Sequence, residues 1–176
     1  MGETVRIRSR SAQTVGALMV LGAVVGLGTS FVEGWDGTMR FGAPLVLFGL
    51  LGWAAFWQPY VEVSDGGVKV ANTLRTIEIS WPAIETVEGR YGLRLVTAYG
   101  PVTAWAAPAP AGRERARGQQ GKAADAVTQR LDELRGAGHL DDPKLERPEP
   151  KVTWHSPLLA AIAVLVVATV ALPLAA

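Results

Sequence analysis

The chain has 176 residues, with 17 Lys and Arg against 16 Asp and Glu, a formal net charge of +1 and no cysteine. Charged residues make up only 19% and hydrophobic residues 49%, whereas a soluble domain carries about 25% charged residues. The chain is thus short of charged surface, and the lack of Cys excludes a disulfide framework or a thiolate–metal site.

Three uncharged runs dominate the chain: Ser11–Val32, Phe41–Val61 and Ser156–Ala176, of 22, 21 and 21 residues. Each reaches the roughly 20 apolar residues that a membrane-spanning helix requires. Residues 1–10 carry Arg6, Arg8 and Arg10 against Glu3 and read as a cytoplasmic tail. A cleaved signal peptide fits poorly. The first apolar run exceeds the usual h-region of about 7–15 residues, and no small-x-small site follows Ser30. Residues 11–58 are therefore expected to form a two-helix transmembrane hairpin. Its connection, Glu33–Arg40, holds Gly34, Asp36 and Gly37, which suit a tight turn. The three arginines place the N-terminus inside by the positive-inside rule and the connection outside, in an inner (cell) membrane. Trp53, Phe56, Trp57 and Tyr60 form an aromatic belt at the end of the second span, and Trp35 and Trp154 flank the other spans in the same way. No ionisable side chain lies inside the three apolar cores, which disfavours a transporter or channel. Gly22 and Gly26 form a GxxxG, and Gly49 and Gly52 add small surfaces, for packing within the hairpin or for a homodimer through the spans.

Residues 58–155 balance 13 Lys and Arg with 13 Asp and Glu, which argues against a nucleic-acid binder. From 59 to 107 apolar and polar residues alternate. Val61 and Val63 precede an Asp65-Gly66-Gly67 turn, and Val68 and Val70 follow it. Beyond Asn72–Arg75 come Ile77, Ile79 and Trp81, and Pro82 ends that strand. Ile84–Glu88, then Leu93 and Leu95, a turn at Tyr99-Gly100-Pro101 and a return over Val102–Ala106 complete the pattern. Period two with Gly, Asn and Pro punctuation predicts about six short antiparallel strands. One apolar face then needs a cover. Ala123, Val127, Leu131 and Leu134 recur at helical spacing within 122–136, so an amphipathic helix is expected there. The expected layout is an α+β domain over 59–138 with a linker at 108–121, a second linker at 139–155, and a C-terminal span at 156–176 that starts at Ser156-Pro157 and ends outside.

The segment Asp65-Gly66-Gly67-Val68-x-Val70-x-Asn72-x-Leu74-Arg75, followed by Ile79-x-Trp81-x-x-Ile84-x-x-Val87, resembles the bacterial pleckstrin-homology-like family, low-molecular-weight protein antigen 6 type. The resemblance covers about 60–107, and the two preceding spans match in general layout. It implies a pleckstrin-like fold of antiparallel strands closed by a C-terminal helix, and it supplies no ligand. The insert 108–121 and the third span depart from the family's pattern.

Candidate chemistry is sparse. Arg113, Arg115, Arg117 and Lys122 read first as a solvated linker and second as a contact for anionic lipid. Arg75, near Arg90 and Arg94 in sequence, reads as an ion-pair partner of Glu78 or Glu88, with an anion site as the alternative. Trp81 is expected in the core, and Trp105, on the last strand, reads first as core and second as a contact for the membrane or a partner. Glu85 and Glu88 share no face for acid–base work. His139 and His155 lack metal-ligand spacing, and no phosphate-binding or nucleophile motif is present. The expected protein is a non-catalytic membrane protein without cofactor. Its cytoplasmic domain recruits a protein partner through an open sheet edge or loop surface, with anionic-lipid recognition by the arginine-rich loops as the alternative.

Overall fold

A computed structural model of the chain describes residues 4–107, 121–140 and 146–175. The chain divides into two units, one of residues 1–9 with 59–153 and the other of residues 10–58 with 154–176.

The helical unit contains α1 (Arg10–Val32), α2 (Trp35–Gly52) and α4 (Ser156–Ala175). All three are long and apolar enough to cross a membrane. The turn between α1 and α2 is shorter than the expected Glu33–Arg40 connection. Gly34 takes φ +89°, and α2 begins at Trp35, so Asp36 and Gly37 lie in its first turn. A left-handed glycine reverses the chain at one residue, leaving Gly37 free to serve packing instead. Buried Gly16, Ala23 and Ser30 recur every seventh residue along α1, and Gly37, Gly49 and Gly52 are the buried positions of α2. A side chain at Gly52 would meet Met19 Cβ at 2.6 Å, and one at Gly49 would meet Ala23 Cβ at 2.9 Å. Close backbone approach through small residues is how apolar helices associate when lipid tails are as apolar as leucine. Within the hairpin the Gly22/Gly26 pair does not act together. Gly26 abuts Leu45, whereas nothing lies within 4 Å of a side chain at Gly22. Beyond Gly52 the helix widens into a π-turn over Trp53–Trp57, closed by Gln58 N donating to Trp53 O at 3.1 Å. Gly16 leaves room for that turn, since a side chain there would meet Phe56 Cβ at 3.0 Å. The Gln58 amide donates to His155 Nδ1 at 2.8 Å, joining the end of α2 to the residue before α4.

The sheet-rich unit holds the six strands expected between 59 and 107, with two more from its flanks. They are β1 (Val5–Ile7), β2 (Tyr60–Ser64), β3 (Gly67–Ala71), β4 (Arg75–Ile79), β5 (Ile84–Glu88), β6 (Arg94–Thr97), β7 (Gly100–Thr103) and β8 (Lys151–Trp154). One sheet runs in the order β1-β2-β3-β4-β8 and the other β5-β6-β7. Residues 1–10 are thus more than a tail and 139–155 more than a linker, because each contributes a strand to the first sheet. The physical reason is edge closure: the backbone groups of β2 and β4 that face away from β3 need partners, and β1 and β8 supply them. Val61, Val63, Val68, Val70, Ile77 and Ile79 are buried on one face of this sheet, paired Val63↔Val68↔Ile79 and Val61↔Val70↔Ile77. Helix α3 (Lys122–Gly136) covers the core with Ala123, Ala124, Val127 and Leu131 buried, and Leu134 is partly buried against it. The returning strand β7 stops at Thr103, earlier than the expected Ala106. Ala104–Ala107 turns instead, held where Leu93 N donates to Ala107 O (3.2 Å) and Ala104 N to Leu93 O (2.9 Å).

Candidate functional site

The outer face of the five-stranded sheet carries an alternating row of charge. Register places Arg6 beside Glu62, Glu62 beside Lys69 and Lys69 beside Glu78, with Lys151 of β8 close enough to act on Glu78. Lys69 Nζ lies 2.8 Å from Glu78 Oε1. That hydrogen bond, more than the field of the ion pair, holds Glu78 below the usual carboxylate range and Lys69 above the usual lysine range. Period two puts every other residue of each strand on this face, and opposite signs face each other across the strands. Each carboxylate of the row thus stands between two cations. A groove of ≈ 430 Å³ lies over it, lined in part by Ser80, Glu149 and Lys151. A second cluster pins α3 to the β2–β3 turn. Arg130 bonds Asp65 at 2.7 Å and Glu133 at 3.0 Å. Its hydrogen bonds, first to Glu133, raise the Arg130 pKa, and those from Arg130 lower that of Glu133.

A third surface lies at the loop between β3 and β4. Asn72 N donates to Arg75 O at 2.9 Å and closes the loop. Its side chain reaches across to the β7 end, where Nδ2 donates to Thr103 O and Oδ1 accepts from Trp105 N, both at 2.9 Å. One asparagine thereby brackets two chain segments some thirty residues apart in sequence, using both halves of its amide. Because β7 ends at Thr103, Trp105 falls in the turn and not on a strand. It is 66% exposed, which corrects its expected place in the core. Leu74 is also exposed, at 39%, and Arg75 beside it is exposed at the first position of β4. Trp81 is buried as expected, at 3%, with its indole N–H donating to Ser64 O at 3.0 Å.

The remaining candidates separate. Glu78 pairs with Lys69, and Glu88 lies 3.7 Å from Arg94. Lys122 is exposed on the first turn of α3. Arg113, Arg115 and Arg117 lie outside the described residues. Glu85 and Glu88 lie on a strand with irregular register between Ile84 and Thr86, and Glu85 lies 4.0 Å from Arg147. Among the described residues no group of three or more His, Asp or Glu side chains gathers as a metal site. Sequence reasoning missed the Arg6 guanidinium 3.5 Å from the centre of the Tyr60 ring, with Arg8 at 5.4 Å, a cation–π arrangement that follows from the β1–β2 pairing. It also missed the Asn72 bracket. Its one signal was an Asn between two strand patterns, a residue that readily bonds nearby backbone.

Residues 58–135 match the family model described as bacterial PH domain. That segment is similar to the bacterial PH domains. No curated protein and no solved structure matches the chain. As a class, PH domains are non-catalytic binding modules, so the match points to binding. The matched segment ends within α3, the helix that closes the core. The strands β1 and β8 lie outside it, so this PH domain is completed at both edges of its larger sheet by chain from beyond the family's bounds.

Proposed function

We propose that the three helices cross the cell membrane with the N-terminus and the PH domain on the cytoplasmic side, and that the domain recruits a protein partner to that surface. The charge bias of Arg6, Arg8 and Arg10 supports the orientation. The observation that supports partner binding is β8: it is the outermost strand on its side of the five-stranded sheet, and all four of its residues are exposed. An extended partner segment can add to such an edge through its own backbone hydrogen bonds, with Val152 offering an apolar side chain.

The test places a photoreactive residue at Lys151, exposed on the same strand, in the full chain, in cells that produce it naturally. A discrete adduct with another protein is expected. Val152→Pro and Thr153→Pro each remove one N–H, and because successive N–H groups of a strand point to opposite sides, one of the two faces β4 and the other faces outward. The outward one should abolish the adduct while leaving the melting temperature of the domain unchanged. Adducts only with copies of the chain itself, or an adduct indifferent to both prolines, would refute strand addition. A second reading, anionic-lipid recognition by Arg75, Arg113, Arg115, Arg117 and Lys122, draws support from the exposure of Arg75 beside Leu74 and Trp105.

A further inference from the structure

We infer that Leu74 and Trp105, held on the Asn72 bracket, form a wedge that docks the PH domain into the headgroup layer of the bilayer. The inference rests on the reading of the helices as spans, and it concerns a surface separate from the β8 edge.

Three observations carry it. The first is the location of the loop along the sheet. Tyr60 pairs with Ala71 and Ala71 with Thr76, so the Asn72–Arg75 loop lies at the Tyr60 end of the sheet. Tyr60 is two residues from Gln58, where α2 hands over to the domain, and Ile7, paired with Val61, is three residues from the start of α1. The chain therefore passes to and from two apolar helices at the loop's own end of the sheet. The second is composition. An exposed Trp, an exposed Leu and an exposed Arg form a mixed apolar and cationic rim, which suits a layer that is apolar on one side and anionic and wet on the other. The third is rigidity. The Asn72 side chain ties the Thr103–Trp105 backbone to the loop through two 2.9 Å hydrogen bonds, one donated to Thr103 O and one accepted from Trp105 N. The backbone that carries Trp105 is thus held to the loop that carries Leu74, so less backbone entropy is left to lose on docking.

The absence of native cysteine makes the test direct. Single cysteines at Leu74, Trp105, Gly66 and Val167 of the full chain carry a fluorophore. The protein is reconstituted in vesicles of phosphatidylethanolamine and phosphatidylglycerol. Gly66 sits in the β2–β3 turn at the far end of the same sheet, with nothing within 4 Å of a side chain there, and Val167 is exposed on α4. Labels at Leu74 and Trp105 should be quenched by a nitroxide on the lipid headgroup. They should also be severalfold less accessible than Gly66 to a water-soluble quencher, and more so as the phosphatidylglycerol fraction rises. If Val167 is reached by a nitroxide deep in the acyl chains while Leu74 and Trp105 are as water-accessible as Gly66, the wedge is wrong and the spans stand. If Val167 is not reached, the spans fail and the wedge with them. Protection at Leu74 and Trp105 that disappears when the protein is diluted into excess lipid would assign the rim to a second copy of the chain and overturn the lipid assignment.

Discussion

Gly67 takes φ +148°, and a methyl group placed there would run into the carbonyl oxygen of Ile79 on the neighbouring strand. Both the backbone angle and the approach of β4 require a residue without Cβ. Gly67→Ala should therefore lower the stability of the PH domain by about 1–3 kcal/mol, the usual cost of overpacking. Gly66→Ala, one residue earlier in the turn with open space around it, should stay near wild type in the same thermal melt. The Lys69–Glu78 pair makes a different residue-scale claim. Glu78 has its folded pKa lowered, so its contribution is present above the unfolded value and is lost as pH falls through the folded one. Lys69 has its folded pKa raised, so its contribution is complete below the unfolded value and is lost as pH rises through the folded one. A double-mutant cycle with Lys69→Met and Glu78→Gln should give a coupling that is flat across neutral pH. The coupling should fade below the carboxylate range and again above the lysine range. Its size should be about 0.2–1 kcal/mol, since both side chains are more than a third exposed. A coupling that peaks near pH 7 would contradict the assignment.

At the scale of elements, the helical hairpin distinguishes glycines that the sequence presents alike. Gly52 faces Met19 and Gly22 faces open space. Gly52→Leu should destabilise the hairpin by about 1–3 kcal/mol, read as a lower melting temperature of the full chain in micelles. Gly22→Leu should leave that temperature unchanged, so any loss of self-association it causes would report a contact between copies. The strands divide in the same way between what is legible and what is not. Strands β2 to β7 can be read from period-two alternation and punctuation because their pairings are between neighbours joined by short turns, such as Ser64↔Gly67 and Thr97↔Gly100. Strand β1 is three residues, Val5-Arg6-Ile7, too short to show a period, and it pairs with β2 more than fifty residues away. Strand β8 sits within a Pro- and charge-rich stretch that composition reads as a linker. Trp105 went astray for a related reason: alternation continues through Ala106, but the ladder with β6 ends at Thr103.

For the whole molecule, the proposed topology predicts opposite labelling of two exposed sites. Asp36 lies in the first turn of α2 and Asp132 on the outer face of α3. In intact cells an impermeant thiol reagent should label Asp36→Cys and leave Asp132→Cys unlabelled until the membrane is opened. The reverse pattern would place the PH domain outside and remove the anionic leaflet from the argument. The sequence by itself determined three apolar helices, six central strands and a covering helix, because these depend on local periodicity, run length and turn chemistry, and its motif over 65–87 pointed to the likeness with bacterial PH domains. Only the tertiary structure decided that the flanking segments extend the sheet by a strand on each side, that Asn72 brackets Trp105 outward, and which glycines make the helix seam. Each of those depends on pairing between residues distant in the chain, where a one-residue difference in register or helix phase exchanges a buried side chain for an exposed one.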